Sequence, residues 1–184
     1  MEDTKERGEF APGTEVIYGF HGRCSIEAIE NRNIGDQAIR FYKLQVQKPT
    51  LSRSKKSDPA IWLPVDSARR RGLRMPMTVE AATQIFAILG NREYYFSVET
   101  PWTKIHSQLE QTIFEEGALG LAKVMSFLFI LKSRQIVPSP EVIRFSEMIH
   151  KQLVRELAET LQDQMKPIED KIASLLKNKL KADH

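Results

Sequence analysis

The 184-residue chain is 41% hydrophobic and 28% charged, a balance that suits one or two globular domains and excludes a low-complexity chain. Its single cysteine, Cys24, rules out an internal disulfide, and no Cys or His cluster has zinc spacing. A net charge of +3 leans only weakly toward an anionic partner.

The first stretch, MEDTKERGEF, is charged throughout and holds no apolar run that could serve as a signal peptide, so Met1–Glu9 reads as a disordered N-terminus. No segment reaches the roughly 18 unbroken apolar residues that cross a bilayer. The expectation is a cytoplasmic protein with no membrane partner.

From Phe10 to Pro76, short runs rich in β-branched and aromatic residues (EVIYGF, RCSIEAIE, IRFYKLQV, AIWLPV) alternate with turn residues, among them His21-Gly22 and Asn33-Ile34-Gly35-Asp36. This predicts a small, strongly bent β-sheet or barrel. The segment KPTLSRSKKSDPA, Lys48 to Ala60, is basic and nearly free of apolar residues, which predicts a long mobile hairpin loop, either solvated or touching a polyanion through Lys55 and Lys56. Ala68 to Arg74, ARRRGLR, can grip phosphate or form salt bridges with the helices that follow.

Near Met77 strand signals give way to helical periodicity, so the fold class is α+β with two domains in series: Phe10–Pro76 and a helical Met77–Lys166, followed by a C-terminal extension, Pro167–His184. Thr78 caps a first helix that Gly90-Asn91 stops. Thr100 as N-cap and Pro101 as first helical residue place Trp102 in the initial turn of a second. The run LAKVMSFLFILKS, apolar almost all round, predicts a buried central helix. Ser139 or Pro140 opens a long last helix with Phe145, Ile149, Leu153, Leu157 and Leu161 on one face. Its Arg144, Lys151 and Arg155 share another face, a solvated stripe or a contact surface. Pro167 is expected to break this helix, with a further amphipathic helix beyond it.

No catalytic arrangement emerges. The chain lacks a Gly-rich phosphate loop, an HExxH and a nucleophile elbow, and its four histidines are scattered. The expectation is a protein that is not an enzyme, with no cofactor and no metal.

The ordered motifs F-x-P-G-T-E-V-I-Y-G-F-H-G-R, I-E-A-I-E-N-R-N-I-G, F-Y-K-L-Q-V and L-P-V-D-S-A-R-R-R-G-L-R resemble the polymerase-interacting domain of the CarD/CdnL family of bacterial transcription regulators, a domain type shared with transcription-repair coupling factors. Trp102 and the run F-S-E-M-I-H-K-Q-L-V-R-E-L-A are similar to that family's helical domain, so the resemblance covers about Phe10 to Leu161. It implies a Tudor-like N-terminal domain that docks on the β subunit of RNA polymerase holoenzyme, and a helical bundle that meets promoter DNA at the upstream edge of the transcription bubble. There a tryptophan, by motif match Trp102, wedges into the minor groove and slows collapse of the open complex. The β-contacting arginine is by the same match Arg32, and the implied contact extends to Arg40, Phe41 and Tyr42, with Trp62 as an anchor.

Around Trp102, the polar Thr103, Lys104 and His106 form the implied backbone-contacting collar, with Arg144, Lys151 and Arg155 as further basic contacts. Local sequence alone also allows Trp102 to be a core or staple residue. Lys104 is followed by Ile105 rather than a second basic residue, and Trp62 stands where some family members carry arginine; such changes imply a divergent paralogue. The expected location is the nucleoid, and the expected state a monomer. The alternative reading keeps the polymerase-binding sheet and gives the helical half a protein partner instead of DNA.

Overall fold

The computed structural model describes residues 9–47, 60–133 and 139–181. The loop predicted over Lys48 to Ala60 and the N-terminal tail therefore fall almost wholly outside the described residues. The chain divides into two compact units, Met1–Pro76 and Met77–His184. No helix among the described residues is long and apolar enough to cross a membrane.

In the first unit β1 (Glu15–Tyr18), β2 (Gly22–Ile34), β3 (Gln37–Val46), β4 (Ile61–Pro64) and β5 (Leu73–Arg74) form an antiparallel sheet in the order β4-β3-β2-β1-β5. The two-residue Gly35-Asp36 turn joins β2 to β3, and Gly35 takes φ 62°, a left-handed value that costs glycine little. A bulge at Glu27 shifts the β2–β3 register, so that Ile26 faces Leu44 while Ala28 faces Lys43. Alternation then sends Val16, Cys24, Ile26, Tyr42, Leu44 and Leu63 into one core, closed by Phe10, Ala68 and Leu73. The Tyr42 hydroxyl accepts a hydrogen bond from the Phe10 backbone N–H at 3.0 Å, which satisfies a polar atom that burial would otherwise leave costly.

The second unit contains α1 (Val79–Gly90), α2 (Trp102–Glu116), α3 (Ala118–Ser133), α4 (Pro140–Leu161) and α5 (Met165–Lys181). Thr78 caps α1 by accepting from the Ala81 N–H at 3.2 Å, and Ser139 caps α4 by accepting from Val142 at 3.4 Å, with Pro140 at the first helical position. α3 is the central element: ten of its residues are buried, as its largely apolar sequence requires. The join between α2 and α3 is tight, because a Cβ on Gly120 would run into the Thr112 carbonyl oxygen.

Two expected boundaries are corrected. α2 begins at Trp102 with Pro101 as its cap residue; Thr100 makes no capping bond, and the Pro101 carbonyl instead accepts from Lys104 and Ile105. Pro167 does not end the long helix. α4 stops at Leu161, where Gln162 turns left-handed at φ 53°, and Pro167 falls in the first turn of α5, where it needs no intrahelical N–H bond. α5 docks through Ile168, Ile172 and Leu176, all buried.

Candidate interaction surfaces

Strand alternation puts Arg32, Ile39, Phe41, Lys43 and Trp62 on the face of the sheet opposite the core. In the register, Arg32 stands beside Ile39, and Lys43 beside Trp62. The structure brings the two expected anchors together: the Arg32 guanidinium lies over the Trp62 ring, 3.2 Å from its centroid. Such a stack fixes a long flexible side chain and is worth about 0.5–2 kcal/mol according to its exposure. Lys43 sits 6.0 Å from the same ring and is drawn into a 2.8 Å ion pair with the bulge residue Glu27, whose hydrogen bond raises the lysine's pKa.

Arg40 points to the other face and is clamped by both carboxylate oxygens of Glu9 at 2.7 and 2.8 Å, a bidentate pair that raises its pKa further. Phe41 and Tyr42 are corrections. They are 7% and 2% exposed, so their side chains hold the sheet and offer no contact surface. β4 pairs only with Phe41–Leu44 of β3. Among the described residues, the outer backbone edge of Gln37–Arg40 therefore has no strand partner, and an open depression of about 530 Å3 lies there against Asp66.

In the helical unit, Trp102 is half-buried rather than free. Its ring packs 5.1 Å from His106, one turn along α2, and meets the ring of Phe145 on α4 edge-on at 5.8 Å. His106 completes the trio at 4.8 Å from Phe145 and lies 3.6 Å from the Glu110 carboxylate. Thr103 and Lys104 are exposed beside it. Arg144 and Lys151 are exposed on α4, whereas Arg155 is bound to Glu159 at 3.0 Å. With a rise of about 1.5 Å per residue, Arg144 and Arg155 stand roughly 16 Å apart, so the three form a stripe along a helix and not a cluster.

Sequence reasoning placed Phe145 in the core but missed it as the partner of Trp102; the Trp102–His106 spacing of four residues was the signal that one helix face gathers rings. It also missed the pairing of Lys43 with Glu27, residues sixteen apart in the chain that the β2–β3 register makes cross-strand neighbours. Charge is divided unevenly. Met1–Pro76 carries 14 basic and 10 acidic residues, Met77–His184 13 basic and 14 acidic. Among the described residues no three His, Cys, Asp or Glu side chains gather where they could hold a metal ion. Compared with known proteins, the chain matches no family model and no curated sequence.

Proposed function

We propose that this chain is a transcription regulator of the CarD/CdnL type, acting by binding and not by catalysis. In this reading the sheet unit is a Tudor-like module that docks on the β subunit of bacterial RNA polymerase, and the helical unit is a bundle that meets promoter DNA at the upstream edge of the bubble. The observation that carries the reading is the Arg32–Trp62 stack beside the unpartnered edge of Gln37–Arg40. Tryptophan and arginine dominate the energy of protein interfaces, and an open strand edge accepts a partner strand through main-chain hydrogen bonds. The part of Trp102 left exposed, with the ring held by Phe145 and His106, would present an indole edge to distorted DNA. A contact made only with the melted form shifts the equilibrium toward the open complex by its differential affinity.

The test is capture of the isolated β lobe by the full chain, with Arg32→Ala and Trp62→Ala as variants, beside decay of a promoter open complex. Binding lost in both variants and a longer lifetime with the wild-type chain are expected. No capture by the folded wild-type chain sinks the proposal. The even charge balance of Met77–His184 favours a second reading, in which the helical unit serves as an adaptor for another protein. Lobe capture with an unchanged open-complex lifetime selects it.

A further inference from the structure

The turn Arg69–Arg71 is a rigid platform that the polymerase-facing surface does not use. It is a 3-10 turn, whose three residues per turn send successive side chains about 120° apart. Both ends are anchored: Ala68 and Leu73 are each 1% exposed in the sheet core, Leu73 N–H donates to the Ala68 carbonyl at 3.0 Å, and Gly72 closes the turn at φ 87°. Arg69 folds back, its guanidinium 4.1 Å from the centroid of the Phe10 ring. Arg70 and Arg71 are left exposed on either side of it, and among the described residues neither pairs with a carboxylate. The Arg71 Nε donates to Ser67 Oγ at 3.0 Å, which orients the guanidinium and leaves its two terminal nitrogens free to donate elsewhere.

Because Ala68 is buried in the core that covers one face of the sheet while Trp62 lies on the other face, this platform is anchored on the side of the sheet away from the Arg32–Trp62 stack. Two guanidinium groups that diverge cannot close on one small anion. They suit a polymer carrying phosphates at regular intervals. The charge balance is compatible with this: Met1–Pro76 carries a surplus of four positive charges, shared between this turn and the basic Lys48–Ala60 segment, and Met77–His184 carries none.

We propose that Arg70 and Arg71 form a site for the phosphate backbone of duplex DNA, independent of base sequence, on the side of the sheet unit away from Trp62. The proposal deepens the reading that the chain acts at a promoter, and its test needs no polymerase. The full chain is titrated onto a short labelled duplex of arbitrary sequence, with anisotropy read between about 50 and 200 mM salt. Arg70→Ala/Arg71→Ala should flatten the log–log salt dependence by about 1.8, roughly 0.9 for each lost phosphate contact, and weaken low-salt binding at least about tenfold. Arg70→Lys/Arg71→Lys should retain the slope, because the charge remains. Capture of the β lobe should be unaffected by either pair, so failure here and failure of the polymerase reading are separate results. Since Arg71 also braces Ser67, Arg70→Ala alone serves as a second probe, expected to lose about 0.9 of slope. A wild-type slope in the folded double variant, or no salt-dependent binding of the duplex by the wild-type chain, overturns the proposal.

Discussion

Truncating Trp102 separates a packed tryptophan from a free one. The ring makes aromatic contacts with His106 at 5.1 Å and Phe145 at 5.8 Å, and one side remains exposed. A fully buried Trp→Ala change costs about 3–5 kcal/mol, and an unpacked surface ring costs within about 0.5 kcal/mol. For a half-buried ring, Trp102→Ala should cost about 1–3 kcal/mol, made of lost apolar burial and of aromatic contacts worth about 0.5–1.5 kcal/mol. At about 4–8 °C per kcal/mol for a unit of this size, the helical signal at 222 nm should melt at least about 4 °C lower. Phe145→Leu should cost less, and the double variant should show a coupling of about 0.5–1.5 kcal/mol. A melting change under about 2 °C, or additive costs, would refute the packing account. Open-complex decay with Trp102→Phe, which preserves an aromatic contact with Phe145, then tests the proposed DNA contact apart from stability.

Gly120→Ala should destabilise the helical unit by about 1–3 kcal/mol, opposite to the usual gain for glycine within a helix, because the new Cβ meets the Thr112 carbonyl; a higher denaturant midpoint would contradict the close approach. Lys179 is 2% exposed and donates to the Glu93 carbonyl at 2.8 Å and Ser126 Oγ at 2.6 Å, so Lys179→Met should cost about 1–3 kcal/mol, and adding Ser126→Ala should recover much of it by removing the orphaned hydroxyl. Chemical unfolding of the single and double variants checks the recovery. Hydrogen bonds from Gln47 and then Arg23 lower the Glu15 pKa. A depressed carboxylate stabilises the fold above its unfolded pKa of about 4.3, and that contribution disappears as pH falls through the folded value. The stability gap between wild type and Glu15→Gln should therefore be present at neutral pH and shrink toward acid; a gap that is constant with pH would show that the ion pair is not its source.

Local chemistry was legible in the sequence wherever one segment decides its own structure. Thr78 and Ser139 each present a cap oxygen three residues before the N–H it accepts from, Gly35 supplies the positive φ its hairpin needs, and α3 is too apolar to lie anywhere but inside. These depend on neighbours within a few residues, so periodicity and turn chemistry suffice. The end of α4 was misplaced because Pro167 is a strong signal in sequence, yet proline is at home in a helix's first turn, and the break fell earlier at Gln162.

The candidate contact surfaces depend on residues far apart in the chain, which no local rule pairs. Strand register decides that Tyr42 and Leu63 share the core face while Lys43 and Trp62 share the other, and the bulge at Glu27 shifts the β2 residues set against them. The sequence by itself determined an α+β chain with a sheet followed by helices and an arginine-rich turn between them. Tertiary structure alone decided that Arg32 lies on Trp62, that Trp102 leans on Phe145, and that Arg69 folds onto Phe10 while Arg70 and Arg71 stay exposed. The physical reason is that hydrophobic periodicity encodes burial along one element, whereas strand register and helix packing select which of several chemically equivalent arginines and aromatics meet.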